Sequence, residues 1–216
     1  MAKVWSIVVA GGSGTRFGRL KQFSLLAGRP VVEWAVDACR PHSSGVVLVV
    51  PGDLDELDDA SCHGANVAVP GGPTRSASVR RGLDVVPTDA DVIVVHDAAR
   101  PLAGPDLFEA VIAAVADDDA DAAVPGLPVS DTIKEVDAER NVTATLDRSV
   151  LVAVQTPQAF RADVLRRAHE GEPEATDDAA LVEAVGGTVR VVPGDPANVK
   201  ITTPDDLRAA ERRLAP

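Results

Sequence analysis

Valine- and isoleucine-rich runs recur along the chain with helical stretches between them, and this alternation limits the fold more than any other feature. The runs are "SIVVA" (6–10), "VVLVV" (46–50), "NVAVP" (66–70), "DVIVVHD" (91–97), "DAAVP" (121–125) and "TVRVVPG" (188–194). They are near-continuous rather than alternating, as strands covered on both faces should be. Between and after them, "PVVEWAVDACR", "TRSASVRRGLDVV", "PDLFEAVIAAVADD" and "ADVLRRAHEG" carry helical patterns. Thr203-Pro204-Asp205-Asp206 offers an N-cap, a proline at the first helical position and acids for the first turn of a last helix. The pattern predicts an α/β fold of three layers, a mostly parallel twisted sheet with helices on both faces. Ligands of such sheets sit beyond the carboxyl ends of the strands.

Residues 126–156, "GLPVSDTIKEVDAERNVTATLDRSVLVAVQT", break this rhythm. They hold short β-like pieces and a polar turn near Asp137–Asn141 but no helical period, and read as a hairpin-like arm projecting from one domain spanning 1–216. An arm of that length exposes apolar surface unless a partner subunit covers it.

A chain of 216 residues can bury one substantial core. Its formal net charge of −12 argues against a general electrostatic grip on nucleic acid or anionic lipid. An anionic ligand must therefore be held by local cations. Cys39 and Cys62 form neither metal-ligand spacing nor a disulfide framework, which fits a reducing cytosol. The N-terminal "MAKVWSIVVAGG" reads as a first strand rather than a secretory leader, and no run approaches the ~20 apolar residues that span a bilayer. A cytoplasmic protein is expected.

The loop after the first strand, "VVAGGSGTRFGRLKQ" (8–22), carries Gly11, Gly12, Gly14 and Gly18 together with Arg16, Arg19 and Lys21. It fails the dinucleotide fingerprint, having Phe17 where a third glycine belongs, and fails the P-loop, having Arg19-Leu20 after Gly18. What remains is a glycine-rich anion cradle with cations. Backbone amides and a helix dipole suffice to hold a pyrophosphate. Guanidinium and ammonium groups are wanted where a phosphoryl group gains charge during reaction. A second stretch, "VIVVHDAARP" (92–101), ends the fourth predicted strand with His96, Asp97 and Arg100. From the residues alone these are a catalytic pair, a metal pair or a cap for the following loop.

In order, "AGGSGTRFG…KQ", "GGPTRSASV", "VVHDAARP", "SDTIK", "LDR", "TPQAF" and "NVKIT" resemble the 2-C-methyl-D-erythritol 4-phosphate cytidylyltransferases of the non-mevalonate isoprenoid pathway, from about residue 5 to the end. The resemblance implies a Rossmann-like nucleotidyltransferase fold with a dimerising β-arm. It implies that CTP and a polyol phosphate give a CDP-alcohol and pyrophosphate with Mg²⁺, the metal held mainly by the CTP phosphates and by no dedicated protein site. Carried over by motif, Arg16 and Lys21 stabilise charge at the α-phosphate, and backbone from Ala10, Gly11, Gly12 and Gly14 cradles the triphosphate. Gly72 and Ser78 read the cytosine edge with Arg75 in support, while Asp97 and Ala98 lie at the ribose. Arg100 and Thr156 approach the polyol. Thr132 and Arg148 hold the substrate phosphate from the neighbouring subunit's arm, and Lys200 positions that phosphate. Arg16, Lys21, Arg148 and Lys200 are the catalytic set, and His96 is structural. Of four lysines, against 17 arginines, Lys21, Lys134 and Lys200 all fall in these motifs.

The sequence departs from the family pattern at Leu20, where proline is usual, and at Pro73 and Ala197, where acids are usual. None removes a phosphate-handling cation. Thr176-Asp177 reads as a helix N-cap. A ribitol 5-phosphate cytidylyltransferase is the nearest enzymatic alternative, and a non-catalytic nucleotide-binding homologue the alternative of another class. With the sequence ending at Pro216, the fused second enzyme of some relatives is not expected.

Overall fold

The computed structural model describes residues 2–11, 21–52, 63–117 and 120–214. All six valine-rich runs form strands: β1 (Val4–Val9), β4 (Gly45–Val50), β5 (Val67–Pro70), β6 (Val92–Asp97), β7 (Ala122–Pro128) and β12 (Val189–Pro193). Every residue of β4 and β6 is buried, which is why neither tolerates a polar alternation. Two further strands, β10 (Val152–Val154) and β11 (Gln158–Arg161), complete an eight-stranded sheet in the order β10-β7-β11-β6-β1-β4-β5, with β12 also on β7. Pairings of β1 with β4 and β6, of β4 with β5 and of β12 with β7 are parallel. The exceptions are β10 and β11, which run antiparallel to their neighbours. A β2–β3 ribbon (Leu25–Leu26, Arg29–Pro30) lies apart from this sheet.

Helices cover both faces. On one, α1 (Val31–Cys39) and α3 (Pro105–Ala116) bury Val32, Ala35, Val36, Cys39, Leu107, Phe108 and Val111 against β1, β4 and β6. On the other, α2 (Arg75–Leu83), α4 (Ala162–Ala168) and α5 (Asp178–Ala184) bury Val79, Leu83, Leu165, Leu181 and Val182 with Ile7, Val49, Ile93 and Val95. A smaller cluster seats α6 (Pro204–Leu214) through Leu207 and Ala210 on Leu26, Val31 and Ile201. Thr203 Oγ1 accepts the Asp206 N–H, and Asp206 Oδ2 accepts the Thr203 N–H, a reciprocal cap that starts α6 where the sequence places it. Asp177 caps α5, its Oδ1 accepting the Ala180 N–H at 3.0 Å.

The segment 126–156 leaves the main sheet and returns to it. Its two roots, 126–128 and 152–154, are still sheet, pairing β7 with β10. Beyond them β8 (Lys134–Val136) and β9 (Val142–Thr145) form their own antiparallel hairpin, closed where Asp137 Oδ1 accepts the Asn141 N–H at 2.7 Å. Val136, Val142, Leu146 and Val150 on this arm are exposed.

Candidate active site

Parallel pairing of β1 with β6 sets Val9 opposite Asp97, so both strands end at one level. Beyond β5, Gly71 and Gly72 lead to α2. These ends enclose a cleft of about 350 Å³ whose wall includes Ala10, Gly11, Gly72, Arg75, Asp97 and Lys200. Close packing explains two of its glycines. A Cβ on Gly11 would lie 3.1 Å from Ser78 Oγ, and one on Gly72 would lie 2.5 Å from the Ala77 Cβ. Ser78 Oγ accepts the Gly72 N–H at 3.2 Å and donates to the Thr74 carbonyl at 2.8 Å, so this hydroxyl shapes the turn that faces the cleft. Ala98 joins the wall through its N–H, donated to the Val9 carbonyl at 3.0 Å. The Ala10 amide is taken by Val49 O at 2.7 Å, so it is not a free donor for the expected cradle. Gln22 Nε2 donates to Ala10 O at 2.7 Å and holds the strand end in place.

Charge in the cleft is organised around Asp97. Lys200 Nζ lies 2.6 Å from Oδ2, and Arg75 Nε 3.5 Å from Oδ1. Burial works against the Asp97 carboxylate, but Arg75 and Lys200 outweigh it and bring its pKa down to about 2. Asp97 is therefore an anion throughout the physiological range. Arg75 also reaches Asp178, Nη1 to Oδ2 at 2.7 Å. Burial opposes the guanidinium charge, yet Asp178 and Asp97 together raise its pKa.

A second network lies behind the cleft. Because a carbonyl only accepts, His96 Nε2, 3.1 Å from Arg100 O, carries the hydrogen. Nδ1, 3.1 Å from Thr156 Oγ1, then accepts the Thr156 hydroxyl, which itself accepts the Asp97 N–H at 3.0 Å. Burial holds the imidazole neutral, its pKa pushed down to about 4. Arg100 donates from Nη1 to Asn198 O at 2.7 Å, and Asn198 Nδ2 donates to Thr156 O at 2.9 Å. This brace ties the end of β6 to the loop that carries Lys200.

A profile of the family described as 2-C-methyl-D-erythritol 4-phosphate cytidylyltransferase matches residues 4–215. The chain belongs to the 2-C-methyl-D-erythritol 4-phosphate cytidylyltransferase family. Among relatives, the cytidylyltransferase of that name from Rubrobacter xylanophilus is 44% identical over 225 residues, covering 100% of this chain and 96% of the relative. The bifunctional enzyme IspD/IspF of Nitrobacter hamburgensis is 45% identical over 223 residues, covering 97% of this chain. The chain spans about half the length of that bifunctional relative, 55%. Among solved structures, the cytidylyltransferase of Thermus thermophilus superposes with a TM-score of 0.79 at 35% identity, over 99% of this chain and 98% of that one.

Of the residues that the motif resemblance proposes, the fold brings Ala10, Gly11, Gly72, Arg75, Ser78, Asp97, Ala98 and Lys200 to one cleft. Thr156 and Arg100 sit immediately behind it, the Thr156 hydroxyl bonded to His96 and Arg100 Nη1 to Asn198 O. Thr132 and Arg148 are exposed on the arm and do not line the cleft; Arg148 donates to the Ser130 carbonyl. Gly12, Gly14 and Arg16 lie outside the described residues, as does the side chain of Lys21. Sequence reasoning missed Asp178, Asn198 in the brace, and Gln22 at the end of β1. The last two stand inside quoted motifs, "NVK" and "KQ". For Asp178 the signal was the second acid of "TDDAA": one acid caps the helix, leaving the other unexplained.

Proposed function

We propose that this chain transfers the cytidylyl group of CTP to 2-C-methyl-D-erythritol 4-phosphate, releasing pyrophosphate. The observation that carries the reading is the match to this family over residues 4–215, with residues of "AGG…KQ", "GGPTRSASV", "VVHDAARP" and "NVKIT" lining one cleft at the carboxyl end of the sheet. The substrate's phosphate oxygen attacks the α-phosphorus of CTP, the new P–O bond replaces the bond to the β-phosphate oxygen, and pyrophosphate leaves. A phosphate monoester is already anionic near neutral pH, so no general base is needed. The obstacle is bringing two anions together, which favours cations and in-line orientation over proton transfer. Lys200, on Asp97, supplies a positive charge beside the reacting phosphates. Arg16 and Lys21 take the α-phosphate on the strength of the resemblance, and the Gly72–Ser78 turn with Arg75 takes the nucleoside.

Among the described residues no cluster of three or more His, Cys, Asp or Glu side chains forms a metal site. Asp97 is the one carboxylate among the described residues of the cleft wall. A single carboxylate fits Mg²⁺ carried in on a triphosphate, since Mg²⁺ keeps few protein ligands beside substrate phosphates. The CTP phosphates would hold the ion, with Asp97 as the nearest protein carboxylate, and it would supply positive charge against the charge developing on the phosphates.

We read residues 1–216 as one nucleotidyltransferase domain with an arm at about 126–156, pairing as a homodimer through that arm. The exposed valines on the arm support this, and Thr132 and Arg148 then serve the partner's cleft. No helix among the described residues is long and apolar enough to cross a membrane, and a cytoplasmic enzyme completes the reading.

The test is pyrophosphate release from CTP and Mg²⁺ with methylerythritol 4-phosphate and ribitol 5-phosphate supplied separately. Release with the first is expected. Release with ribitol 5-phosphate alone would move the enzyme to another polyol phosphate, and silence with both while CTP still binds would make it a non-catalytic homologue.

A further inference from the structure

Behind α2, outside the reacting centre, lies a polar cluster that the proposed chemistry does not use. The segment 173–178, between α4 and α5, grips the first turns of α2. Thr74 Oγ1 donates to Glu174 Oε1 at 2.8 Å, the Ala175 N–H donates to Ser76 Oγ at 3.3 Å, and Arg80 Nη1 donates to Pro173 O at 2.8 Å. Arg75 reaches past these to Asp178, which has no exposed surface. The other Asp178 oxygen, Oδ1, is 3.1 Å from His169 Nε2. A carboxylate only accepts, so Nε2 carries the hydrogen, while the buried Nδ1 has no partner among the described residues.

A fully buried carboxylate costs stability unless it is paired, and even a paired one is often no better than an apolar replacement. Helix capping does not account for Asp178, because Asp177 caps α5. Fold stability alone is therefore a poor reason for the group. What it does is aim a guanidinium. Arg75 gives Nη1 to Asp178 and sets Nε 3.5 Å from Asp97 in the cleft, leaving Nη2 with no hydrogen bond to the described residues.

We infer that Asp178, backed by His169, is a positioning residue for the nucleotide: it anchors Arg75 from behind so that CTP meets a cation already oriented at the cleft wall. This rests on the reading of the cleft as the nucleotide site. Asp178 touches no substrate and acts through Arg75. A lysine at 75 lacks the fork that reaches two carboxylates at once.

The experiment is calorimetric titration of CTP, UTP, ATP and GTP into wild type, Asp178→Asn, Arg75→Lys and the double variant, with KM and kcat beside it. For Asp178→Asn the Kd and KM for CTP should rise about 10–100-fold with kcat at saturation much less affected, the mark of lost binding rather than lost chemistry. KM for the polyol phosphate should stay within about threefold of wild type. The double variant should lose no more affinity than Arg75→Lys alone, since both changes break one contact. CTP affinity of folded Asp178→Asn within about twofold of wild type, or fully additive losses, would overturn the inference. Should Asp178→Asn not fold, Arg75→Lys decides alone: unchanged CTP affinity overturns it. If wild type prefers another nucleotide, cytidylyl transfer falls, and the Asp178 inference is judged by the same ratios on that nucleotide.

Discussion

Both ring nitrogens of His96 are committed in the neutral state, Nε2 to Arg100 O and Nδ1 to the Thr156 hydroxyl, and that fixes how stability responds to acid. The folded pKa is about 4 because of burial, against an ordinary value of 6.5. Between these values the unfolded chain binds the proton and the folded one does not, so stability falls as pH drops through that window and levels off below it. At 1.36 kcal/mol per pH unit the effect is about 3 kcal/mol. Urea denaturation at pH 7 and pH 4.5 should show most of that loss, about 2 kcal/mol, in wild type and a smaller one in His96→Gln; equal losses would assign the acid sensitivity to other groups. Lys200 faces Asp97 at 2.6 Å, and Lys200→Ala should lower kcat by about 10²-fold or more with CTP affinity little changed. Arg16→Ala and Lys21→Ala should each cost roughly 10³–10⁵ in kcat, by analogy with guanidinium stabilisation of phosphoryl transfer. Near-normal turnover in either would remove it from the reacting centre.

At the scale of elements, α2 is where two local rules conflict. Alanine is about 1 kcal/mol better than glycine inside a helix, so Gly82→Ala should stabilise by propensity alone. A Cβ there would meet Ile7 Cγ2 at 2.6 Å and Ile7 Cδ1 at 3.2 Å, pushing the helix off β1. Overpacking of that kind costs about 1–3 kcal/mol, so the expected sign is destabilising, read as a lower urea midpoint at unchanged slope. Because α2 carries Arg75 and Ser78, KM for CTP should rise as well. The elements the sequence made legible are those whose own residues decide them. β4 and β6 are unbroken valine-rich runs, and α6 announces itself by Thr203-Pro204 and Asp206. β11 escaped because "QAFR" has no strand pattern: it is a strand because β6 and β7 offer it edges from both sides. α5, seven residues long, shows too little period to be read beyond its N-cap at Thr176-Asp177. In the site the same division holds. Asp97 was legible at the end of a recognisable strand, whereas Gly72 came from the motif resemblance alone. The ends of Arg100 and Thr156 were not legible, since their partners stand 98 and 60 residues away in the chain.

On the scale of the whole molecule, the separation between cleft and arm demands an explanation. Residues 4–11, 70–78, 97–100 and 198–201 converge on the cleft and its brace, whereas Thr132 and Arg148 are exposed on the arm and do not line it. The arm itself leaves Val150 79% exposed, with Val142 and Val136 also open to solvent. Apolar side chains grouped on a projecting hairpin are a liability in a monomer and an asset in an interface. A homodimer resolves both facts at once, because an arm reaching to a neighbour would bring Thr132 and Arg148 to the neighbour's cleft. Two polar substitutions, Val142→Asp and Val150→Asp, test this without touching either cleft. Sedimentation should show dissociation at micromolar concentration, and kcat/KM for the polyol phosphate should fall with it while CTP binding, made by one chain, persists. Mixing this variant with a dimer-competent Lys200→Ala chain should not restore activity if the variant cannot pair. A monomeric variant with full turnover would place Thr132 and Arg148 in the service of their own chain and leave the exposed valines without a role in catalysis.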